Sequence, residues 1–271
     1  MPELPEVETT RRGIEPWLVG RRIERLIVRE WRLRWRVPRG LPARVRGARI
    51  LTVQRRAKYL LIATDAGTLI WHLGMSGSLR VLPRLSPPLA HDHVDLLLDS
   101  GTCLRFNDPR RFGCLLFTAD DPDRHPLLSR LAAEPLSQAF ASDDLWRRAR
   151  GRRASIKAFI MDSRIVAGVG NIYASEALFR AGIRPGLAAG RVSRHRMAGL
   201  VAAIRDVLNE AIAFGGTTLR DYVDASGTPG YFGRKLFVYE RTGKPCRRCG
   251  TPIRQFLQGQ RSTYWCPHCQ R

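Results

Sequence analysis

The sequence is poor in lysine and in acidic side chains, and it lacks any long apolar run. Only four of its 46 basic residues are lysines, and with 24 acidic residues the formal net charge is +22. No stretch approaches the roughly 18 apolar residues that would span a bilayer, and no charged-then-apolar leader is present. We therefore expect no membrane or secretory role and a polyanionic partner, most commonly nucleic acid.

The shortage of lysine limits the amines that chemistry could use. Lysine can be tuned into a base or a nucleophile, whereas arginine stays protonated. The available amines are the α-amino group and Lys58, Lys157, Lys235 and Lys244. A GC-rich genome that replaces dispensable lysines by arginine explains the same composition, so the shortage alone identifies no catalyst.

The apolar pattern divides the 271 residues into a β-rich part followed by a helical part. Apolar residues recur at helical spacing near the N-terminus, at Leu4, Val7, Ile14 and Leu18. Prolines and acidic residues in the first turn of this segment are typical of the start of a helix. Short apolar and β-branched runs separated by turn residues then predict a β-sandwich or barrel. The predicted strands are Ile50–Val53, Tyr59–Thr64, Thr68–Leu73, Ser78–Leu82, Val94–Leu98 and Cys103–Phe106.

Prolines and arginines mark a change of composition between residues 120 and 153, which we interpret as a linker region. The segment 217–234, rich in glycine and polar residues, is interpreted as a mobile loop. The predicted helices are Ile156–Met161, Asn171–Ala181 and Ser193–Phe214. The remaining residues to the C-terminus are too few for an apolar core of their own and require a metal.

Four of the six cysteines form two Cys-x2-Cys pairs close to the C-terminus. They are Cys246, Cys249, Cys266 and Cys269. Four thiolates in two such turns can surround one tetrahedral Zn²⁺, and with every position taken the ion is structural. Two disulfides or four unrelated cysteines are the alternatives. Cys103 and Cys114 lie in predicted strands and are expected in the core.

A glycine-rich connection offers a candidate phosphate contact. In residues 166–171 two glycines precede Asn171, so that backbone amides at the start of the next helix could approach a phosphate. Lys157 and Arg164 add positive charge nearby. A plain connection between helices is the alternative.

Two turns in the β-rich part have the composition of wedges that distort a duplex. One is 72–77, which holds an apolar Met75 between glycines, and the other is 107–113, which combines Arg110 with Phe112. Ordinary exposed β-turns have the same composition. Two such turns on one basic domain favour the wedge interpretation.

Pro2 becomes a free secondary amine if Met1 is removed, as usually happens before small residues. An α-amine titrates nearer neutrality than lysine and can attack an aldehyde-like carbon. Glu3 and Glu6 could move protons beside it. Acids at a helix N-terminus also simply complement the helix dipole, and a retained Met1 would turn the Pro2 nitrogen into an amide without this chemistry.

From end to end, the chain resembles the bacterial formamidopyrimidine-DNA glycosylases. The motifs that carry the resemblance are Pro2–Glu8, Arg55–Leu60, His72–Gly77, Asp108–Gly113, Gly168–Ser175 and the four-cysteine finger ending at Gln270. The segment Leu131–Leu136 departs from the family's usual Leu-Gly-Pro-Glu-Pro-Leu, but it lies in the predicted linker.

The resemblance implies an α+β protein with DNA between its domains. Residues 1–130 would form a two-layer β-sandwich, 131–152 a linker, 153–235 a helix–two-turn–helix domain with a lesion-capping loop, and 236–271 a four-cysteine zinc finger built on a β-hairpin. It further implies one structural Zn²⁺ and double-stranded DNA with oxidised bases as the partner. The expected protein is a monomer of the cytoplasm, associated with the nucleoid through DNA.

The resemblance also implies an enzyme that flips oxidised purines such as 8-oxoguanine and formamidopyrimidines out of the duplex and excises them. It would then nick the abasic site through a Schiff base by β,δ-elimination. Pro2 would be the nucleophile on the sugar C1′, with Glu3 as proton donor and Glu6 nearby. Lys58 would assist β-elimination near the phosphates, and Arg261 would bind the lesion's phosphate and serve δ-elimination.

The family's DNA contacts carry over to further positions. Met75, Arg110 and Phe112 would fill the vacated stack and face the orphaned base, normally cytosine. The remaining implied DNA contacts are His91, Arg152, Lys157 and Asn171. The loop expected to close over the everted base spans Gly216 to Phe232.

Three other interpretations remain. An endonuclease VIII-like enzyme shares the chemistry but prefers oxidised pyrimidines, whereas Leu4 and the Arg110/Phe112 pair favour the purine branch. A non-catalytic DNA-binding module would not need Pro2, Glu3 and Lys58 together. A ribonucleoprotein role explains the charge but not the N-terminal amine.

Overall fold

The computed structural model describes residues 2–217 and 232–271, which divide into two compact units. The first unit comprises Met1–Ser129 and Phe214–Gly233, and the second comprises Arg130–Ala213 and Arg234–Arg271. No helix in the described ranges has both the length and the apolar character needed to cross a membrane.

The first unit is a β-sandwich with a helix, α1 (Leu4–Leu18), at its start. One antiparallel sheet has the strand order β1-β6-β7-β5 and the other has the order β2-β3-β4-β8. The elements are β1 (Ile23–Val28), a short helix α2 (Leu41–Val45), β2 (Ile50–Arg56), β3 (Tyr59–Thr64), β4 (Gly67–His72), β5 (Ser78–Leu82), β6 (Asp92–Leu98), β7 (Cys103–Asn107) and β8 (Cys114–Thr118).

The predicted helix and all six predicted strands are confirmed, and the strand expected at Cys114 is β8, but the sequence did not reveal β1. In β1 only Ile23 and Leu26 are buried, and the pairing register shifts between Ile23 and Arg25. This irregularity removes the strict alternation that signals a strand. The predicted core cysteines, Cys103 and Cys114, are fully buried, and burial raises the pKa of each thiol to about 12.

A buried guanidinium fixes the loop that precedes β6. Arg105 donates from Nε and Nη2 to the two carboxylate oxygens of Asp95, each at 2.8 Å. It also donates to the carbonyl oxygens of Ser86 and Pro87, at 2.7 and 3.1 Å. Arg29 reaches the same Asp95 carboxylate at 2.6 Å. The loop is therefore held by charges that water does not screen.

Replacing Arg105 by methionine should destabilise the first unit by about 3–5 kcal/mol, because Asp95 stays buried without its main partner. Burial by itself raises the pKa of Asp95, but hydrogen bonds from Arg105 and Arg29 outweigh it, so the net pKa is lowered. Such a carboxyl stabilises the fold above its unfolded pKa of about 3.9, and this stability disappears as the pH falls through the folded value.

Denaturant unfolding between pH 7 and pH 3 tests whether the ion pair of Arg105 with Asp95 stabilises the first unit. The native protein should lose stability in acid, and the Arg105→Met variant should lose less because much of that contribution is already gone. Arg12→Met, which removes an exposed ion pair with Glu8, is the control and should cost about 1 kcal/mol or less. An identical acid dependence in native protein and Arg105→Met would contradict the assignment.

The second unit is helical and ends in a β-hairpin. Its elements are α3 (Ser142–Ala149), α4 (Ile156–Met161), α5 (Asn171–Arg180), α6 (Arg194–Ala213), β9 (Arg254–Gln258) and β10 (Arg261–Trp265). The three predicted helices are confirmed to within one residue at each end. The additional helix α3 lies inside the predicted linker, and only two of its eight residues, Leu145 and Ala149, are buried.

A buried carboxylate ties α5 to the segment that leads into the hairpin. Glu176 is fully buried and accepts hydrogen bonds from the backbone amides of Phe237, Val238 and Tyr239, at 2.9, 2.9 and 3.0 Å. A small apolar core lies beside it. Its buried members are Phe179, Val238, Cys246, Ile253, Tyr264 and Cys266. The hairpin therefore shares its core with α5.

Candidate functional site

The start of α1 gathers the amine-bearing residue and both carboxylates. Pro2, Glu3 and Glu6 are all buried, the two glutamates to 1% exposure. Glu3 is the N-cap residue, and its side chain accepts the Glu6 amide while Glu6 Oε2 accepts the Glu3 amide at 2.8 Å. Both carboxylates are thus held within one helical turn of Pro2. Met1, on whose removal the amine depends, lies outside the described residues.

Glu6 also anchors the first two residues of the predicted capping loop. Its Oε1 accepts the Thr217 amide at 2.7 Å. Gly216 has a φ of +81°, and a Cβ there would lie 3.0 Å from that same Oε1, so the position requires glycine on two counts. The loop predicted over Gly216 to Phe232 falls, between 218 and 231, outside the described residues and stays a prediction.

Lys58 occupies a two-residue turn between β2 and β3. The preceding Ala57 has a φ of 54°, an uncommon conformation for a residue with a Cβ. Arg55 holds the turn by donating from Nη1 to the Ala57 carbonyl at 3.0 Å, and its Nε donates to Glu8 Oε2 at 3.3 Å. The turn that carries Lys58 is therefore fixed to the helix that begins behind Pro2.

His72, at the end of β4, is a candidate that the sequence did not single out. Burial lowers the pKa of its ring to about 4, and the charges of Lys58 and Arg34 contribute. Nδ1 accepts the Gly74 amide at 2.9 Å, which assigns the proton of the neutral ring to Nε2. His72 is thus a neutral donor near Lys58. The only signal in the sequence is a histidine at a glycine-rich turn, and desolvation is not visible there.

The two predicted wedge turns are joined by one buried carboxylate, that of Asp108. Its Oδ1 accepts the hydroxyl of Ser76 in the first turn at 2.9 Å, and its Oδ2 accepts the amide of Gly113 in the second at 2.8 Å. A Cβ on Gly74, where φ is +66°, would lie 2.4 Å from the Gly113 nitrogen. The backbones of the two turns are therefore in direct contact.

The two hydrogen bonds accepted by Asp108, which we call the Asp108 clamp, hold the two turns so that the three predicted wedge side chains lie on one surface. Met75 and Phe112 are 39% and 41% exposed, and the Arg110 guanidinium lies 4.8 Å from the centre of the Phe112 ring. His91 is exposed, has a φ of 68°, and accepts the Asp108 amide through its carbonyl at 3.0 Å. Four residues predicted to contact DNA therefore surround one buried carboxylate.

Replacing Asp108 by alanine should lower the free energy of unfolding of the first unit by about 2–4 kcal/mol, because two buried donors lose their acceptor. Asp108→Asn is the matched control. Its amide oxygen can accept from Gly113 while its NH2 donates to the Ser76 hydroxyl, so it should cost about 1 kcal/mol. Denaturant unfolding of both variants measures this, and equal losses would show that the hydrogen bonds do not hold the turns.

In the second unit, Lys157 of α4 is buried against β10. Its Nζ donates to Thr263 Oγ1 at 2.7 Å and to the Ser262 carbonyl at 3.2 Å. Asn171, the first residue of α5, donates from Nδ2 to the same carbonyl at 3.1 Å, while its Oδ1 is buried without a partner in the described part of the chain. Both side chains fix β10 to the helices, and their predicted DNA contacts stay predictions.

Arg152 and Arg261 have exposed side chains, as contacts with DNA require. Arg261 begins β10 and lines, together with Lys157 and Gln258, an open cavity of about 280 Å³. Of the described residues, Asp162 alone contributes a carboxylate to that cavity. Its size and charge suit a phosphate group.

The four paired cysteines converge on one point. Their ligand atoms all lie within 4.8 Å of one another, with Sγ–Sγ distances of 3.9 Å for Cys246–Cys269 and 3.5 Å for both Cys249–Cys266 and Cys249–Cys269. A tetrahedral zinc ion about 2.3 Å from each sulfur needs separations of about 3.8 Å, whereas a disulfide needs about 2 Å. The four thiolates therefore fit one structural Zn²⁺ and fill its coordination sphere.

Three family models match successive parts of the chain. The formamidopyrimidine-DNA glycosylase N-terminal domain matches residues 1–115, and the H2TH domain of the same enzymes matches residues 131–223. The zinc finger found in FPG and IleRS matches residues 243–271. These matches follow the order of the β-sandwich, the helices and the four-cysteine hairpin.

Relatives match the chain over its whole length. The formamidopyrimidine-DNA glycosylase of Alkalilimnicola ehrlichii is 61% identical, with both chains covered completely. The MutM (Fpg) protein of Thermus thermophilus is 42% identical with a TM-score of 0.90, over 99% of this chain and 98% of that one.

The Fpg of Lactococcus lactis has been solved several times with DNA. A mutant bound to Fapy-dG-containing DNA and a complex with abasic-site DNA are each 31% identical to this chain, with a TM-score of 0.92 over the whole of both chains. Another complex, with a TM-score of 0.91, holds DNA with an oxidised pyrimidine. By full-length identity and by all three domain matches, the chain belongs to the formamidopyrimidine-DNA glycosylase family.

Proposed function

We propose that this chain excises oxidised purines from duplex DNA and then nicks the abasic site as a lyase. Membership of the family over the full length supports the activity, and the complexes of the L. lactis relative with Fapy-dG and abasic DNA support the substrates. The observation that carries the chemistry is the buried first turn of α1, where Glu3 and Glu6 are hydrogen-bonded to each other's backbone beside Pro2.

Pro2, freed of Met1, supplies the nucleophile. An α-amine with an ordinary pKa of about 8 is partly neutral at pH 7, so its lone pair can form a bond to C1′. The C1′–N bond breaks at the same carbon, and its electron pair leaves with the base, which takes a proton from Glu3. The C1′–O4′ bond then breaks with its electron pair going to O4′, which takes up the proton lost by the Pro2 nitrogen, and this opening of the sugar ring leaves the cationic Schiff base between that nitrogen and C1′.

The Schiff base makes the adjoining C2′ proton acidic, and its loss expels the 3′ phosphate by β-elimination. Lys58, in its fixed turn near the neutral His72, is assigned to this step because its charge stabilises the departing phosphate. Arg261 is assigned to the lesion's phosphate and to δ-elimination. Water finally releases the sugar fragment and restores the amine.

The base must leave the stack before an amine can reach C1′. Met75, Arg110 and Phe112 are assigned to the vacated space, and their exposure on two clamped turns supports this role. His91, Arg152, Lys157 and Asn171 are assigned to the DNA backbone. The exposed side chains of His91 and Arg152 support this backbone-binding role more directly than the buried side chain of Lys157 does.

The same proposal covers the organisation and location of the protein. Residues 1–130 would form the catalytic domain, 131–152 the linker, 153–235 the helical DNA-binding domain and 236–271 the finger. We place the activity in the cytoplasm, on nucleoid DNA. The structural zinc supplies the fold of the finger and takes no part in the chemistry.

Borohydride trapping tests the proposal with two duplexes, one with 8-oxoguanine opposite cytosine and one with an oxidised pyrimidine. We expect a covalent adduct at Pro2 mainly with the purine duplex. An adduct mainly with the pyrimidine duplex would favour the second candidate, which the oxidised-pyrimidine complex of the L. lactis relative brings forward. No adduct with either duplex, despite binding and a processed N-terminus, would overturn the enzymatic assignment.

A further inference from the structure

An arginine-rich loop, residues 29–39, follows β1 and surrounds an open basin on the first unit. Its fold is fixed by a hydrogen bond from the Val37 amide to the Trp31 carbonyl at 3.0 Å, and by the burial of Leu33 and Val37 in the sandwich core. The basin has a volume of about 690 Å³. Its wall consists of Glu30, Trp31, Val37 and four arginines, Arg29, Arg32, Arg36 and Arg39.

Within residues 2–217 and 232–271, the positive charge of this basin is not neutralised. Arg29 is engaged by Asp95 at 2.6 Å, and Arg32 lies 3.4 Å from Glu30, which is the one acidic residue among the described residues of the lining. In residues 2–217 and 232–271 no carboxylate forms an ion pair with Arg36 or Arg39, whose side chains are exposed. A preformed concave surface with excess guanidinium charge suits a phosphodiester, which guanidinium groups bind through paired hydrogen bonds.

The arginine-rich loop is attached to the turn that carries Arg110 and Phe112. The Arg34 amide donates to the Gly113 carbonyl at 3.1 Å, and Glu30 Oε2 pairs with Arg111 Nη1 at 3.1 Å. The basin is therefore continuous with the surface assigned to the orphaned base.

We propose that the arginine-rich loop binds the phosphodiester backbone of the undamaged strand, through Arg36 and Arg39, next to the base opposite the lesion. This inference rests on the proposed function, because the role of the Arg110–Phe112 turn defines which strand lies beside the loop. The loop then holds the undamaged strand while the lesion is drawn out of the other.

The test is equilibrium binding to a duplex with a tetrahydrofuran abasic analogue opposite cytosine, at several salt concentrations. The Arg36→Gln/Arg39→Gln double variant should reduce the slope of log K against log salt by about 1.8, as expected for two lost phosphate contacts. The matched control is Arg25→Gln/Arg46→Gln, which removes the same charge from two exposed arginines that line another surface. It should change the slope by much less.

Methylphosphonate linkages then identify the strand. Neutral linkages in the undamaged strand beside the orphaned base should weaken binding of the native protein and leave the double variant unaffected. The same linkages in the lesion strand should weaken both proteins alike. Equal slope changes in the double variant and the control would overturn the inference. So would neutral linkages in the lesion strand that weaken binding of the native protein but not of the double variant, because they would couple Arg36 and Arg39 to the wrong strand.

Borohydride trapping in parallel separates this inference from the proposed function. A Pro2 adduct without strand-specific coupling would refute the loop's role alone. Coupling without any adduct would refute the catalytic assignment while supporting the loop's role. If the native protein bound no duplex at all, both the loop's role and the proposed function would be refuted.

Discussion

Replacing Pro2 by glycine should lower the rate of base excision by about 100-fold or more while duplex binding remains. Glycine is also small, so Met1 is still removed and an amine is still present. That amine lacks the ring that fixes its direction beside Glu3 and Glu6, and a misplacement of about 1 Å can cost about 100-fold in rate. Single-turnover excision of 8-oxoguanine measures the effect, and binding to an abasic-analogue duplex measures the affinity.

A second substitution separates the amine from the ring. Pro2→Glu places a large residue after Met1, which is then retained, so that no free amine stands at position 2. We expect no borohydride adduct from this variant and a residual one from Pro2→Gly. Excision by Pro2→Gly at the native rate would remove Pro2 from the mechanism.

Removal of zinc should unfold the finger and loosen DNA binding, with the largest energetic effect of any single change to the second unit. Structural zinc contributes on the order of 10–16 kcal/mol of apparent binding free energy in finger peptides at pH 7. The small core around Ile253 and Tyr264 includes two of the ligands, Cys246 and Cys266, so we expect it to come apart when the zinc that holds these cysteines together is removed. Chelation followed by limited proteolysis should cleave the finger first.

Thiol titration provides the control for zinc removal. Four thiols should become reactive on chelation, while Cys103 and Cys114 stay unreactive in the folded sandwich. Zinc added back should restore both protease resistance and DNA binding. Binding and protease resistance that persist after stoichiometric loss of the metal would refute a structural role for zinc.

Features encoded by neighbouring residues were predictable from the sequence. The periodicity of Leu4 to Leu18 gave α1, and the two Cys-x2-Cys pairs gave the metal site, because each signal is complete within a few residues. β1 was missed because its register shift breaks the alternation. The helix α3 was missed because only Leu145 and Ala149 mark its buried face.

Features that depend on distant partners were not predictable. A lysine in a basic chain is expected on the surface, yet Lys157 is buried because Thr263, far along the chain, accepts its hydrogen bond. The clamp at Asp108 likewise depends on Ser76 in another turn. The neutrality of His72 follows from burial, which no local pattern of residue types reports.

The two buried cysteines have a consequence for a protein that acts where DNA is being oxidised. Peroxides react with thiolates, and a thiol with a pKa of about 12 is almost wholly protonated at neutral pH. The sandwich thus carries no thiol that oxidants readily reach. Among the cysteines, those of the finger would be oxidised first, so that a molecule damaged there releases its zinc while the fold around Pro2 stays intact.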